Sequence, residues 1–193
     1  MPGRAAGARR AEILRAAAEL FAARGFHGVS IDDLGRAVGT SGPALYRHFP
    51  GKEALLGAML LDVSERLAAD GERRATAFAD DPRRALEELL RGHIEFALTE
   101  PALITVHDRE LDNVPDPHRR RIRRLQRGYV ERWVGVLARL RPGTDAPTLR
   151  AAVHAAFGLL NSTPHSADEL PAESMTPLLL AMGTAALLAE DDV

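Results

Sequence analysis

Cysteine is absent from the 193 residues, which excludes disulfides, thiolate nucleophiles and cysteine-ligated zinc. Aromatics are scarce, with one tryptophan, two tyrosines and six phenylalanines, so any place where they gather stands out. Lysine occurs once, at Lys52, and arginine supplies every other long cationic side chain. The longest apolar run, PLLLAMGTAALLA at 177–189, is too short for a comfortable membrane span. The opening MPGRAAGARRAEILRAAAEL is basic but lacks a clean apolar core and a cleavage site. No secretory signal is expected from it, and the chain reads as cytoplasmic. Enzyme signatures are missing too: there is no HExxH, phosphate loop or serine elbow. His107-Asp108-Arg109-Glu110 carries acid–base groups, but helical spacing spreads them around the axis. No catalytic residue, cofactor or metal site is expected.

What is present is helix. At 46% hydrophobic residues the chain has enough apolar content for one large helical domain or two small ones. Residues 9–24 place Ile13, Leu14, Ala17, Leu20 and Phe21 on one face, and Gly25 follows as a stop. Ser30 and Asp33 are spaced to cap a short second helix, about Ile31 to Val38, which ends at Gly39. A third begins after Ser41, tolerates Pro43 in its first turn, and stops at Pro50-Gly51. A fourth starts near Lys52 and runs to about Asp70. Pro/Gly punctuation divides the rest. The stretch 116–140 lines up Ile122, Leu125, Tyr129, Trp133, Val136 and Leu140 on one stripe, with Arg120, Arg124 and Arg127 opposite. Strand alternation is missing, so the expected fold is all-α with about nine helices.

Two short helices joined at Gly39-Thr40-Ser41 match the helix-turn-helix pattern. Leu34, Ala37, Val38, Leu45 and Phe49 are spaced to share a small core. Thr40, Ser41, Gly42, Pro43, Ala44, Arg47 and His48 then face outward from the half of the second helix that enters a major groove in this motif. Tyr46 and His48 can donate to phosphate oxygens, and Lys52 adds charge. Residues 1–60 hold eight Arg/Lys against five acids, and the remainder 17 against 22, a modest basic bias toward the same end. On these grounds alone the corner fits a DNA reader, or a helical enzyme or interaction module that imitates one.

VSIDDLGRAVGTSGPALYRHFPGKEALL resembles the DNA-binding domain of tetracycline-repressor (TetR/AcrR) family transcription regulators. The resemblance rests on Ser30, Val38-Gly39-Thr40-Ser41, Leu45-Tyr46-Arg47-His48-Phe49 and Lys52, and on the Gly25-Phe26-His27-Gly28 exit of the first helix. It covers about residues 9–60. It implies backbone contacts from Ser30, Tyr46, His48 and Lys52, and base-facing positions at Thr40, Gly42, Pro43, Ala44 and Arg47. Pro43 stands where many members have glycine, and Gly51 where they have a capping Ser, Asn or Asp. Asp32 would repel phosphate, unless it accepts from a cytosine amino group, and does not count among the contacts. The family architecture implies an N-terminal DNA-binding domain (1–55, helix-turn-helix about 31–50, linking helix about 52–70). It further implies a C-terminal effector-binding and dimerisation domain (56–193), double-stranded operator DNA as partner, and a homodimer.

The C-terminal two thirds supports this less directly. Residues 146–161 and 175–189 combine large apolar residues with Ala and Gly, which suits a dimer interface through Ala152, Ala156, Phe157, Leu160, Leu180, Gly183 and Leu187, or internal core helices. His93, Phe96, His107, Tyr129, Trp133, Phe157 and Asn161 are candidates for an effector pocket, or plain core. The run HRRRIRRLQR at 118–127 reads as a solvated face, or as a receiver for an acidic effector such as an acyl-coenzyme A.

Overall fold

The computed structural model describes residues 2–166 and 169–189. Those residues are all-α, as expected, and hold ten α-helical segments, two of them single turns, with one 3-10 turn. None of the helices is long and apolar enough to cross a membrane. Packing divides the chain into two units. The first runs to Val63 and takes in Ala102–Arg123; the second comprises Ser64–Pro101 and the chain from Arg124 onward. The expected division between residues 55 and 56 falls inside α4 (Lys52–Ala77), which gives residues to both units.

In the first unit α1 (Pro2–Arg24) buries Ile13, Leu14, Ala17 and Phe21. It stops at Gly25, whose φ of 71° carries the chain into the left-handed region that L side chains resist. The capping box predicted for α2 (Ile31–Ala37) is present: the Asp33 N–H donates to the Ser30 hydroxyl at 3.1 Å, and the Ser30 N–H to the Asp33 carboxylate at 2.9 Å. Those bonds to Ser30, with Arg36 beside them, hold the Asp33 carboxyl down at about 2. Gly39, at φ 64°, makes the turn, and the Thr40 N–H closes it on Gly35 O at 2.8 Å. α3 (Gly42–Leu45) is shorter than the sequence suggests. His48 and Phe49 still bond back to Leu45 O at 2.8 and 2.9 Å, but Pro50 disfavours helical backbone at Phe49. Leu34, Val38, Leu45 and Phe49 are buried together as expected, whereas Ala37 faces solvent. Residues of α6 (Pro101–Glu110), the 3-10 turn Leu111–Asn113 and the start of α7 (Asp116–Leu140) complete this unit and bury Leu103, Ile104, Val106, Val114 and Ile122.

The second unit packs α5 (Pro82–Thr99), the rest of α7, α8 (Ala146–Leu160), α9 (Thr163–Ser166) and α10 (Ala172–Leu188). Asp81 and Asp145 accept from the third amide of α5 and α8, at 3.0 and 2.8 Å, and proline sits in the first turn of each. Leu86, Leu89, Leu90 and Ile94 of α5 meet Trp133 and Leu137 of α7, Val153 of α8, and Leu179 of α10. α10 lies against α5 and α8.

Candidate nucleic-acid interface and effector site

The reader is built by close approach of α2 to α3. A Cβ on Gly35 would lie 2.7 Å from Gly42 N, 2.9 Å from Ser41 C and 2.9 Å from Thr40 O. Only a residue without a side chain lets the two helices meet there. On the rim beyond the contact, Ser41, Pro43, Arg47 and His48 are exposed, as is Tyr46 at 54% of its surface. An aromatic ring left this open beside an imidazole and a guanidinium offers donors and a stacking face to a polyanion. Thr40 and Ala44 are half-buried at the same edge.

Three expected contact residues are engaged elsewhere. Gly42 is buried, and a Cβ on it would meet the Asp32 carboxylate at 2.2 Å. It therefore packs against α2. Asp32 in turn sits at the start of α3, where free amide N–H groups favour a carboxylate. The Ser30 hydroxyl is occupied as the cap of α2. Lys52 folds back on the chain: its Nζ donates to Phe26 O at 2.7 Å and Val29 O at 2.8 Å, and lies 4.3 Å from the centre of the Phe26 ring. Two of its three protons are thus committed to the α1–α2 loop. Lys52→Ala is expected to weaken duplex binding while leaving the slope of log K against log salt unchanged. A lost phosphate contact would instead flatten that slope by roughly 0.9, which a salt titration distinguishes.

In the second unit six of the candidate effector residues do come together. His93, 3% exposed, lies face to face with Phe157 (4.7 Å between centroids, 5° between planes) and with Tyr129 (5.9 Å, 21°). Phe96 and Trp133 meet it edge-on at 5.9 and 6.0 Å. Its Nε2 is 3.0 Å from Asn161 Oδ1 and its Nδ1 3.3 Å from the Tyr129 hydroxyl. An amide oxygen only accepts, so Nε2 carries the proton and Nδ1 accepts from Tyr129. Burial pushes His93 down to about 4 and raises the Tyr129 hydroxyl above its ordinary range, so both are neutral near pH 7. The Trp133 indole N–H, fully buried, has no partner at hydrogen-bond geometry, although it faces Tyr129 closely enough to offset part of that rise. His107 does not join the cluster; it belongs to the first unit, with Nδ1 3.3 Å from an Asp108 oxygen.

The cluster adjoins a cleft of about 450 Å³ between α4 and α5, lined among others by Arg66, Asp70, Arg74, Gly92, Phe96 and Glu100. Phe96 belongs to both. Gly71 leaves room on α4 for Tyr129 of α7, whose Cε2 a Cβ would meet at 2.6 Å, and Gly92 leaves room on α5 for Arg74 of α4, whose Nε a Cβ would meet at 2.6 Å. Arg66 forks onto Glu100 with two bonds of 2.8 Å, and Arg74 bonds Asp70 at 2.6 Å. The arginines at this cleft therefore come from α4, not from the 118–127 run.

Neutral His93 makes stability depend on pH. Its folded-state value lies below the ordinary 6.5, so its contribution is complete above pH 6.5 and is lost as pH falls from there through about 4. A shift of this size corresponds to about 3 kcal/mol. Urea unfolding at pH 7 and pH 4 should show that loss in the wild type. In His93→Phe the drop should be smaller by about the same amount.

The expected interface residues divide. Ala156, Leu160 and Leu187 are 0% exposed, and Gly183 is buried with a notional Cβ 2.8 Å from Leu90 Cδ2. These four, expected at an interface, instead point into the chain's own core. Ala152, Phe157 and Leu180 are half-buried, with Phe157 committed to the His93 cluster. The open faces are instead Ala151, Ala155 and Gly158 on α8, and Leu178, Ala181, Met182 and Ala185 on α10.

Residues 13–59 match the bacterial regulatory proteins of the tetR family, and residues 79–165 match the tetracyclin repressor-like C-terminal domain. The chain belongs to the TetR family. Members of the TetR family are DNA-binding regulators and not enzymes. The chain is 26% identical to the HTH-type transcriptional regulator EthR of Mycolicibacterium smegmatis over 132 residues, 68% of this chain and 58% of that protein. It is 29% identical to the HTH-type transcriptional repressor KstR2 of Rhodococcus jostii over 130 residues, 67% and 63% of the two chains. It thus covers less than two thirds of either relative. A TetR-family regulator from Bordetella parapertussis superposes with a TM-score of 0.81 at 25% identity, over 94% of this chain and 95% of that one.

Proposed function

We propose that this TetR-family chain is a cytoplasmic repressor that binds a palindromic operator as a homodimer and is released by a small-molecule effector. The observation that carries the reading is the exposed row Pro43, Tyr46, Arg47 and His48 on a helix pair locked by Gly35. Tyr46 and His48 hold phosphates, and Pro43 with Arg47 reads base edges. Repression needs only occlusion of the promoter, whereas activation needs a further surface for the polymerase.

The second copy is proposed to cover the open faces of α8 and α10, where Leu178 and Met182 are 44% and 46% exposed in the single chain. Apart from the exposed His154, no ionisable side chain lies between Ala151 and Gly158, and none lies between Ser174 and Leu188. Small residues there allow close helix contact, and a two-fold axis through them demands matching half-sites.

The effector is proposed to enter the α4–α5 cleft and to rest on the His93 cluster. Aromatic faces suit an apolar body, and the buried Trp133 N–H offers a donor to a carbonyl oxygen. The Arg66–Glu100 pair, with Arg66 half exposed, contributes little to stability, so an anionic head group can take it over. Acyl-coenzyme A is the most specific version. Titration with acyl-coenzyme A of graded chain length, followed by Trp133 fluorescence and duplex affinity together, tests it. Binding should lower affinity about 5- to 150-fold, reciprocally. If no acyl-coenzyme A perturbs Trp133, this effector class is wrong; if none of a broad metabolite set alters DNA affinity, the chain is a constitutive DNA-binding dimer.

A further inference from the structure

The loop between α1 and α2 is gripped from two sides, and one grip comes from far along the chain. Glu110, at the end of α6, is 8% exposed. Its Oε1 accepts from the Phe26 N–H at 2.9 Å, across 84 residues of sequence, and its Oε2 accepts from Asn113 Nδ2 at 2.8 Å. A carboxylate taken out of water is tolerated only when both oxygens are bonded in this way. Gly25 aims that amide: its left-handed φ turns the chain out of α1, and a Cβ there would lie 3.6 Å from Glu110 Oε1. On the other side of the same residue, Phe26 C=O accepts from Lys52. The second Lys52 bond goes to Val29 O, one residue before the Ser30 cap of α2.

We infer that Glu110 is a positioning residue for DNA reading: its buried carboxylate holds the Phe26 amide and thereby sets the angle at which α2 and α3 leave α1. The inference rests on the DNA-reading function proposed above. Phe26 lies in the part matched to the DNA-binding domain, and Glu110 in the part matched to the C-terminal domain. The reader is therefore incomplete without a group supplied by the C-terminal sequence. Lys52 alone fixes the loop through carbonyls. Removing Glu110 leaves the Phe26 N–H buried and unbonded, which the loop relieves by moving.

Glu110→Ala and Glu110→Gln in the full chain test this, with a duplex selected from a random library by the wild type as probe. Glu110→Ala should lower affinity roughly tenfold or more, in keeping with a hydrogen bond to a charged group, with the salt slope unchanged. Amide exchange at Phe26 and Thr40 should quicken in the free protein, while exchange in α5 and α8 stays as in wild type. Glu110→Gln keeps an oxygen for the Phe26 N–H and should recover most of the affinity. Wild-type affinity in Glu110→Ala overturns the proposal. So does an equal loss in both variants with faster exchange throughout α5 and α8, which would make Glu110 a residue that merely holds the fold. If the wild type selects no duplex, the DNA reading itself falls. The exchange arm still decides the latch, and unchanged exchange at Phe26 and Thr40 overturns it.

Discussion

Gly35→Ala is expected to weaken specific duplex binding roughly a hundredfold, although alanine is the better helix former. The propensity gain is about 1 kcal/mol. Against it stand three contacts under 3.0 Å, to Gly42 N, Ser41 C and Thr40 O, all backbone atoms. Backbone cannot swing aside as a side-chain tip can, so α3 must move away from α2. Overpacking of this kind costs about 1–3 kcal/mol in stability. The cost in recognition is larger, because displaced side chains lose base contacts worth about 1–3 kcal/mol each. A loss of roughly a hundredfold in affinity, with the first unit still folded, is the expected result. Gly39→Ala is the control: no atom lies within 4 Å of its Cβ, and only the φ of 64° is strained. It should cost about 1–2 kcal/mol in stability and leave base preference intact. Chemical denaturation and a binding assay on both variants separate the two cases.

Leu178→Arg is expected to split the proposed dimer without unfolding the chain. Leu178 is 44% exposed in the single chain, so the guanidinium has water to reach when the chain is alone. In a two-fold interface the substitution appears twice, and each copy desolvates a charge with no partner. A penalty of about 3 kcal/mol or more follows, roughly a hundredfold or more in the dimer constant. Duplex affinity should fall with it, because two linked half-site readers become independent. Leu179→Arg, one position along, is the contrast: Leu179 is 3% exposed within the core of the second unit, and arginine there should unfold it. Light scattering and thermal unfolding on the pair decide the matter. A Leu178→Arg chain that remains dimeric rules out this face.

The helix-turn-helix was legible because its requirements are local. A cap at Ser30, glycines at positions 35 and 39, and four apolar residues at short spacing specify it within twenty residues. The gathering of His93, Phe96, Tyr129, Trp133, Phe157 and Asn161 was legible as a list but not as a geometry, since stacking depends on how three helices pack. The inward side of α8 and α10 is not legible because both helices are apolar nearly all round, so periodicity marks no inward side; Ala156, which is buried, looks the same in sequence as Ala155, which is exposed. The placement of Lys52 and Gly42 is not legible, because sequence does not show that α2 approaches α3 or that an ammonium folds back on two carbonyls. Glu110 gave no signal at all: its partner is a backbone amide 84 residues away, and every residue but proline has one.

Selection of duplexes from a random library, followed by measurement of stoichiometry and salt dependence on the winning sequence, tests the central claim most directly. The account predicts a two-fold symmetric sequence, bound by two chains, with half-sites about one helical turn or a simple multiple apart and affinity falling steeply as salt rises. Enrichment of no sequence, or binding of equal strength to all duplexes by a single chain, would contradict it.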